Sequence, residues 1–133
     1  MITENDDRLY TSKYQDEFKQ VALDALNHMK ENFMDYATEP DVRGYTYRFS
    51  PYTIRDEFDD LIIKHGFEID ATSIRHAYGI GNNNEWDIVD INMDKVGEFF
   101  ATDNMYQGCI LGVRIKGRTI MSFTMCSGGF IRE

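Results

Sequence analysis

Three histidines, two cysteines and 23 acidic side chains are the groups from which this 133-residue chain could build a reactive or recognition site. Of the histidines, His76 has the most open surroundings. It precedes Tyr78 and the Gly/Asn-rich residues 79–84, with Asp70 six positions earlier, so a general base beside a loop is conceivable there. Asn82, Asn83 and Tyr78 would then be the polar and aromatic groups of a pocket for a nucleotide or small polar metabolite, with Tyr45 and Tyr47 nearby. His28 and His65 have structural readings, the first beside a helical apolar stripe and the second at a helix end, where a cation complements the dipole.

Gly79-x-Gly81 lacks the lysine of a phosphate-binding loop and the third glycine of a dinucleotide fingerprint, and a tight turn accounts for it. Cys126-Ser127-Gly128-Gly129 lacks the spacing of a nucleophile elbow. Cys109 and Cys126 form no Cys-x-x-Cys pair and have no histidines at ligand spacing, so neither a metal nor another cofactor is expected. Glu85, Asp87, Asp90 and Asp94 follow no calcium-loop pattern and read as solvated charge.

The densest chemistry is acidic. Asp56-Glu57-x-Asp59-Asp60 packs four carboxylates into about one and a half helical turns, where they repel one another at spacings of three and four. Asp16, Glu17 and Asp24 add to them from an earlier helix. Residues 1–104 hold ten Lys/Arg against 22 Asp/Glu, whereas residues 105–133 hold Arg114, Lys116, Arg118 and Arg132 against Glu133 alone. A field of this sign repels nucleic-acid backbones and steers basic partners. The expectation is a small acidic, non-enzymatic protein that binds and inhibits a basic, often nucleic-acid-binding, protein. Phage inhibitors of host defences and immunity proteins against nuclease toxins have this general profile of size and charge. The alternative is the His76 pocket, with or without catalysis.

The elements that must carry these groups follow from periodicity. Ser12 and Gln15 have the spacing of a capping box and start a long helix through Tyr14, Phe18, Val21, Ala22, Ala25, Met29, Phe33 and Tyr36, ending before Pro40. Residues 43–49 alternate as a strand. Ser50-Pro51 opens a second helix through Phe58, Leu61 and Ile62, which Gly66 closes with Phe67 folding back on Ile62. Residues 67–80 read as a strand, although Thr72-Ser73 would equally cap a short helical turn, and residues 79–84 as a loop. Residues 86–93 are strand-like, and Asp94 caps a third, short helix through Val96, Phe99 and Phe100.

The C-terminal hairpin has two readings. With Lys116-Gly117-Arg118 as its loop, Ile115 opposes Thr119, and Cys109, Leu111 and Val113 share a face with Met121, Phe123 and Met125. A two-residue loop shifts the register by one. Neither makes Cys126 face Cys109, so free thiols and a reducing compartment are expected. No segment has the length of a membrane span or the pattern of a signal peptide. The sequence therefore predicts one cytoplasmic α+β domain over residues 1–133, frayed over residues 1–11, with a homodimer compatible. An antiparallel sheet of four or five strands carries a long N-terminal helix and two shorter helices on one face.

Overall fold

The computed structural model describes residues 10–32, 51–77, 82–104 and 108–125. Among the described residues, two helices and five strands follow one another: α1 (Gln15–Glu31), α2 (Pro51–Ile63), β1 (Glu68–Ala77), β2 (Asn82–Val89), β3 (Lys95–Asn104), β4 (Gly108–Ile115) and β5 (Arg118–Met125). The strands form an antiparallel meander in the order β1-β2-β3-β4-β5. The α+β class stands, with two helices among the described residues where three were expected. The missing one is the helix placed after Asp94, whose residues are β3. Among the described residues, no helix is long and apolar enough to cross a membrane.

α1 buries Phe18, Ala22, Ala25, Leu26 and Met29, the stripe that a 3.6-residue period produces. It stops at Glu31, short of Phe33 and Tyr36, which lie outside the described residues together with the strand expected at 43–49. The expected capping box does not form. Ser12 Oγ accepts the Tyr14 N–H at 2.9 Å and donates to the Asp90 carboxylate, while Gln15 Nε2 donates to the Val96 carbonyl. Both side chains tie the start of α1 to the sheet.

α2 begins at Pro51, whose missing N–H is no loss in a first turn. Its end follows the expected motif: Gly66 N–H bonds the Ile63 carbonyl at 3.1 Å and Phe67 N–H the Ile62 carbonyl at 3.4 Å. Gly66 makes this possible at φ +91, a backbone setting that β-carbon-bearing residues rarely adopt. Phe67 and Ile62 are both in the core.

The helices contact each other and cover one face of the sheet, α1 on β5 and α2 on β3 and β1. Beneath them lie Trp86, Ile88, Phe99, Leu111 and Val113, each fully buried. Phe58 stacks on Phe99 at 4.7 Å between ring centres, and Phe18 meets Phe67 edge-on at 5.2 Å. Each such side chain contributes about 1.5–3 kcal/mol by leaving water.

Three irregularities shape the meander. In β1, residues 71–74 bulge between the Asp70↔Asp87 and Arg75↔Glu85 pairs. Asp70 accepts from Thr72 there, and Ser73 Oγ takes the place of a ladder carbonyl by accepting the Asp87 N–H at 2.7 Å. The strand reading of residues 67–80 thus holds for Glu68–Ala77, and the helix-like Thr72-Ser73 signal marks its bulge. In β3, Val96 is the extra residue between the Ile88↔Gly97 and Val89↔Lys95 pairs.

In β5 the extra residue is Ile120. Ile115 pairs with Arg118 across the two-residue turn Lys116-Gly117, yet Val113 pairs with Met121 and Leu111 with Phe123. Both hairpin registers are therefore present, one on each side of the bulge. Cys109 pairs with Met125, and Cys126 lies outside the described residues.

Candidate functional site

The two faces of the sheet hold their charge differently. On the face away from α1 and α2, alternation along β2 points Glu85 and Asp87 the same way, and β1, β3 and β4 bring Arg75, Lys95, Glu98 and Arg114 to meet them. Asp87, with no exposed surface, lies 3.1 Å from Arg75 and 3.3 Å from Lys95. Lys95, almost fully buried, reaches Glu98 at 2.8 Å, and Arg114 reaches Glu85 at 2.8 Å. Among the described residues, three carboxylates and three cations meet there. Burial by itself would depress the Lys95 pKa, but the hydrogen bond and charge of Glu98, with Asp87, raise it, so the ammonium stays charged. The Tyr10 ring centre lies 5.0 Å from that ammonium, and burial followed by the charge of Glu98 raises the phenol's pKa.

Glu85, Asp87 and Asp90 are thus not the solvated charges their sequence suggested. Asp90 is 3% exposed and accepts from Ser12 Oγ and from the N–H groups of Asn92 and Asp94. Burial opposes its ionisation, yet those three hydrogen bonds outweigh burial and lower its pKa.

The helix layer is organised otherwise. Asp16, Glu17 and Asp24 are exposed on α1; Asp56 and Asp60 are exposed and Glu57 and Asp59 half-buried on α2. Among the described residues, Asp16, Glu17, Asp24, Glu57 and Asp60 make no ion pair, and Asp56 pairs at 2.9 Å with its neighbour Arg55. α1 holds four acids against Lys19 and Lys30, and α2 four against Arg55. Asp59 is set apart by structure, since its Oδ1 accepts the Ile69 N–H at 2.8 Å and so joins α2 to β1. Its pKa is raised, chiefly by burial and then by Glu68, Asp60 and Asp56, against that hydrogen bond.

No family model, curated protein or solved structure matches this chain significantly. Its two surfaces therefore carry the functional reading.

The expected His76 pocket is only partly assembled. Asn82 and Asn83 belong to β2 and not to a loop, Tyr78, Tyr45 and Tyr47 lie outside the described residues, and His76 is exposed on β1 opposite Asn84. A recess of about 230 Å3 does open at Asn83, Asn84, Glu85, Phe100, Thr102 and Arg114, without His76. Arg114 closes it on one side, its guanidinium 4.2 Å from the Phe100 ring centre. Among the described residues, no three His, Cys, Asp or Glu side chains converge as metal ligands.

No local pattern in the sequence marks Arg75, Lys95, Glu98 and Arg114 as partners of Glu85 and Asp87. The signal for Glu85 and Asp87 was their spacing of two within a strand, which sends both to one face. For Lys95 and Glu98 the bulge at Val96 removed it, because a spacing of three normally separates faces.

Proposed function

We propose that this protein acts in the cytoplasm as a non-enzymatic inhibitor whose two-helix acidic surface occupies a basic, nucleic-acid-binding surface of another protein, as small acidic phage or immunity inhibitors do. The contrast between the faces supports this reading. Acids on the face away from α1 and α2 are neutralised at 2.8–3.6 Å by cations, whereas the helix layer leaves Asp16, Glu17, Asp24, Glu57 and Asp60 exposed or half-exposed without ion pairs among the described residues. Unneutralised like charge on packed helices costs stability and steers an oppositely charged partner.

The test uses a partner purified from a host lysate and the variant Asp56→Asn, Glu57→Gln, Asp60→Asn, which spares Asp59 and its bond to β1. The association rate should fall by about tenfold at low salt, and the difference should shrink as the Debye length shortens to about 8 Å near 0.15 M. An unchanged rate at low salt would remove the helix layer as the working surface.

A second reading, a small-molecule or nucleotide site, is favoured by the recess beside Asn83 and Arg114. A co-purifying metabolite lost on Thr102→Val but kept in the neutralised variant would put it first.

A further inference from the structure

Where α1 begins, α2 ends and the β2–β3 turn projects, Tyr14, Glu17, His65, Gly66, Phe67 and Ile91 line a crevice of about 170 Å3. Its surroundings are unusually apolar for a turn. Ile91 is 70% exposed and Met93 53%, and Ile63, at the same end of α2, is 52% exposed. The turn is pinned: Asp90 receives the Asn92 N–H at 2.7 Å and the Asp94 N–H at 3.0 Å, its own N–H bonds the Asp94 carbonyl at 2.9 Å, and Met93 N–H returns to the Asp90 carbonyl at 2.9 Å. Met93 sits at φ +67, a conformation that glycine or asparagine adopts more readily. A turn needed only to reverse the chain has no use for two large apolar side chains presented to water on a pinned backbone. Exposed apolar groups around a preformed recess are what a binding hot spot requires, because little ordering entropy is lost on docking.

The rim holds both signs, since His65 is in the lining and Lys13 lies 5.4 Å over the Tyr14 ring, but its carboxylates are the charges left without a partner group among the described residues. Glu17 lines the crevice, Asp16 precedes it, and both carboxylates are exposed without an ion pair among the described residues. We propose that this crevice is the anchor point of the acidic surface. A segment of the basic partner inserts one leucine, methionine or phenylalanine side chain beside Tyr14, Phe67 and Ile91, and its flanking Lys/Arg groups face Asp16 and Glu17. The volume suits a single such side chain, since a cavity of about 150 Å3 accepts benzene. The inference rests on the acidic-surface reading above and adds to it a place and an apolar requirement.

Two fluorescein-labelled synthetic peptides test it at low ionic strength by fluorescence anisotropy. Both alternate lysine and serine, one with a central leucine and the other with alanine there. The leucine peptide should bind the parent protein about tenfold more tightly. Ile91→Ser, at a position too exposed to disturb the core, should bring that ratio near one and leave the alanine peptide's affinity unchanged, whereas neutralising Asp56, Glu57 and Asp60 should weaken both peptides alike. Equal binding of the two peptides by the parent, or a ratio that survives Ile91→Ser, overturns the crevice and leaves the acidic surface standing. Failure of both peptides to bind overturns both readings. If sedimentation shows a dimer that Ile91→Ser dissociates, the occupant is a second copy of this chain and the basic-segment assignment falls.

Discussion

Replacing Asp87 by leucine should cost this protein a large share of its stability, and replacing Lys95 as well should restore part of it. Asp87 is wholly buried between Arg75 at 3.1 Å and Lys95 at 3.3 Å. Removing one partner of a buried pair strands the other charge and typically costs about 3–5 kcal/mol. Here the lower end applies, because Lys95 keeps Glu98 at 2.8 Å and Arg75 keeps Glu85 at 3.6 Å. About 3 kcal/mol is a substantial fraction of the roughly 5–15 kcal/mol that holds a domain together. At about 4 °C per kcal/mol for a chain of this length, the melting temperature should drop by about 12 °C. Lys95→Met should cost a similar amount, since it removes one of the two cations that face Asp87 among the described residues. The double variant exchanges the pair for apolar groups and should cost less than the sum of the singles by about 2 kcal/mol. Urea unfolding followed by circular dichroism on all four proteins gives this coupling directly. Single losses below about 1 kcal/mol, or strict additivity, would show that the sheet face away from α1 and α2 is not held by these charges.

Asp90→Ala should destabilise the protein by about 1–3 kcal/mol by leaving the Asn92 and Asp94 N–H groups unpaired; because the Asp90 pKa is lowered, its contribution is present above the unfolded pKa of about 4 and is lost as pH falls through the folded value, which unfolding across an acid series would follow. Asp59→Asn, which keeps an acceptor for Ile69, should be neutral or stabilising at pH 7 and should lose that advantage as acid protonates Asp59, whose pKa is raised, whereas Asp59→Ala should cost about 1 kcal/mol in thermal unfolding. Gly112→Ala should sharply reduce folded yield, because its new β-carbon would come within 2.5 Å of the Met121 carbonyl oxygen and 2.6 Å of the Phe100 ring. Leu111→Ala should cost about 2–5 kcal/mol and Phe123→Ala less, since Leu111 is fully buried and Phe123 only partly; equal losses in urea titrations would contradict the face assignment.

Where periodicity was local, the sequence was readable. The α1 stripe, the Pro51 start, the Gly66-Phe67 stop and the pairing of Leu111 with Phe123 all follow from spacing and turn chemistry. Bulges defeated it elsewhere. At Val96 the extra residue breaks the two-residue alternation, so Val96 and Phe99, three apart, both reach the core, and the pattern imitates a helix. The same bulge hid Lys95 and Glu98 as partners. Ser12 and Gln15 had the right types for a cap but found better acceptors 78 and 81 residues away, at Asp90 and Val96, which no local pattern announces. The acidic residues of both helices were legible as a cluster, yet the division between Asp59, bound to β1, and its exposed neighbours needed the packed structure.

Trp86, the chain's single tryptophan, sits in β2 beneath the start of α2, with the Tyr52 ring edge-on at 5.9 Å and the Arg55 guanidinium 5.2 Å from its centre. Arg55 is in turn held by Asp56 at 2.9 Å. One emitting chromophore is thus wired through a single arginine to the acidic helix surface. A cation arriving at Asp56 competes for the carboxylate that restrains Arg55, and the electrostatic field over the indole changes with it. The unlabelled protein carries its own optical gauge of occupancy, and Asp56→Asn should shift the emission spectrum even with nothing bound.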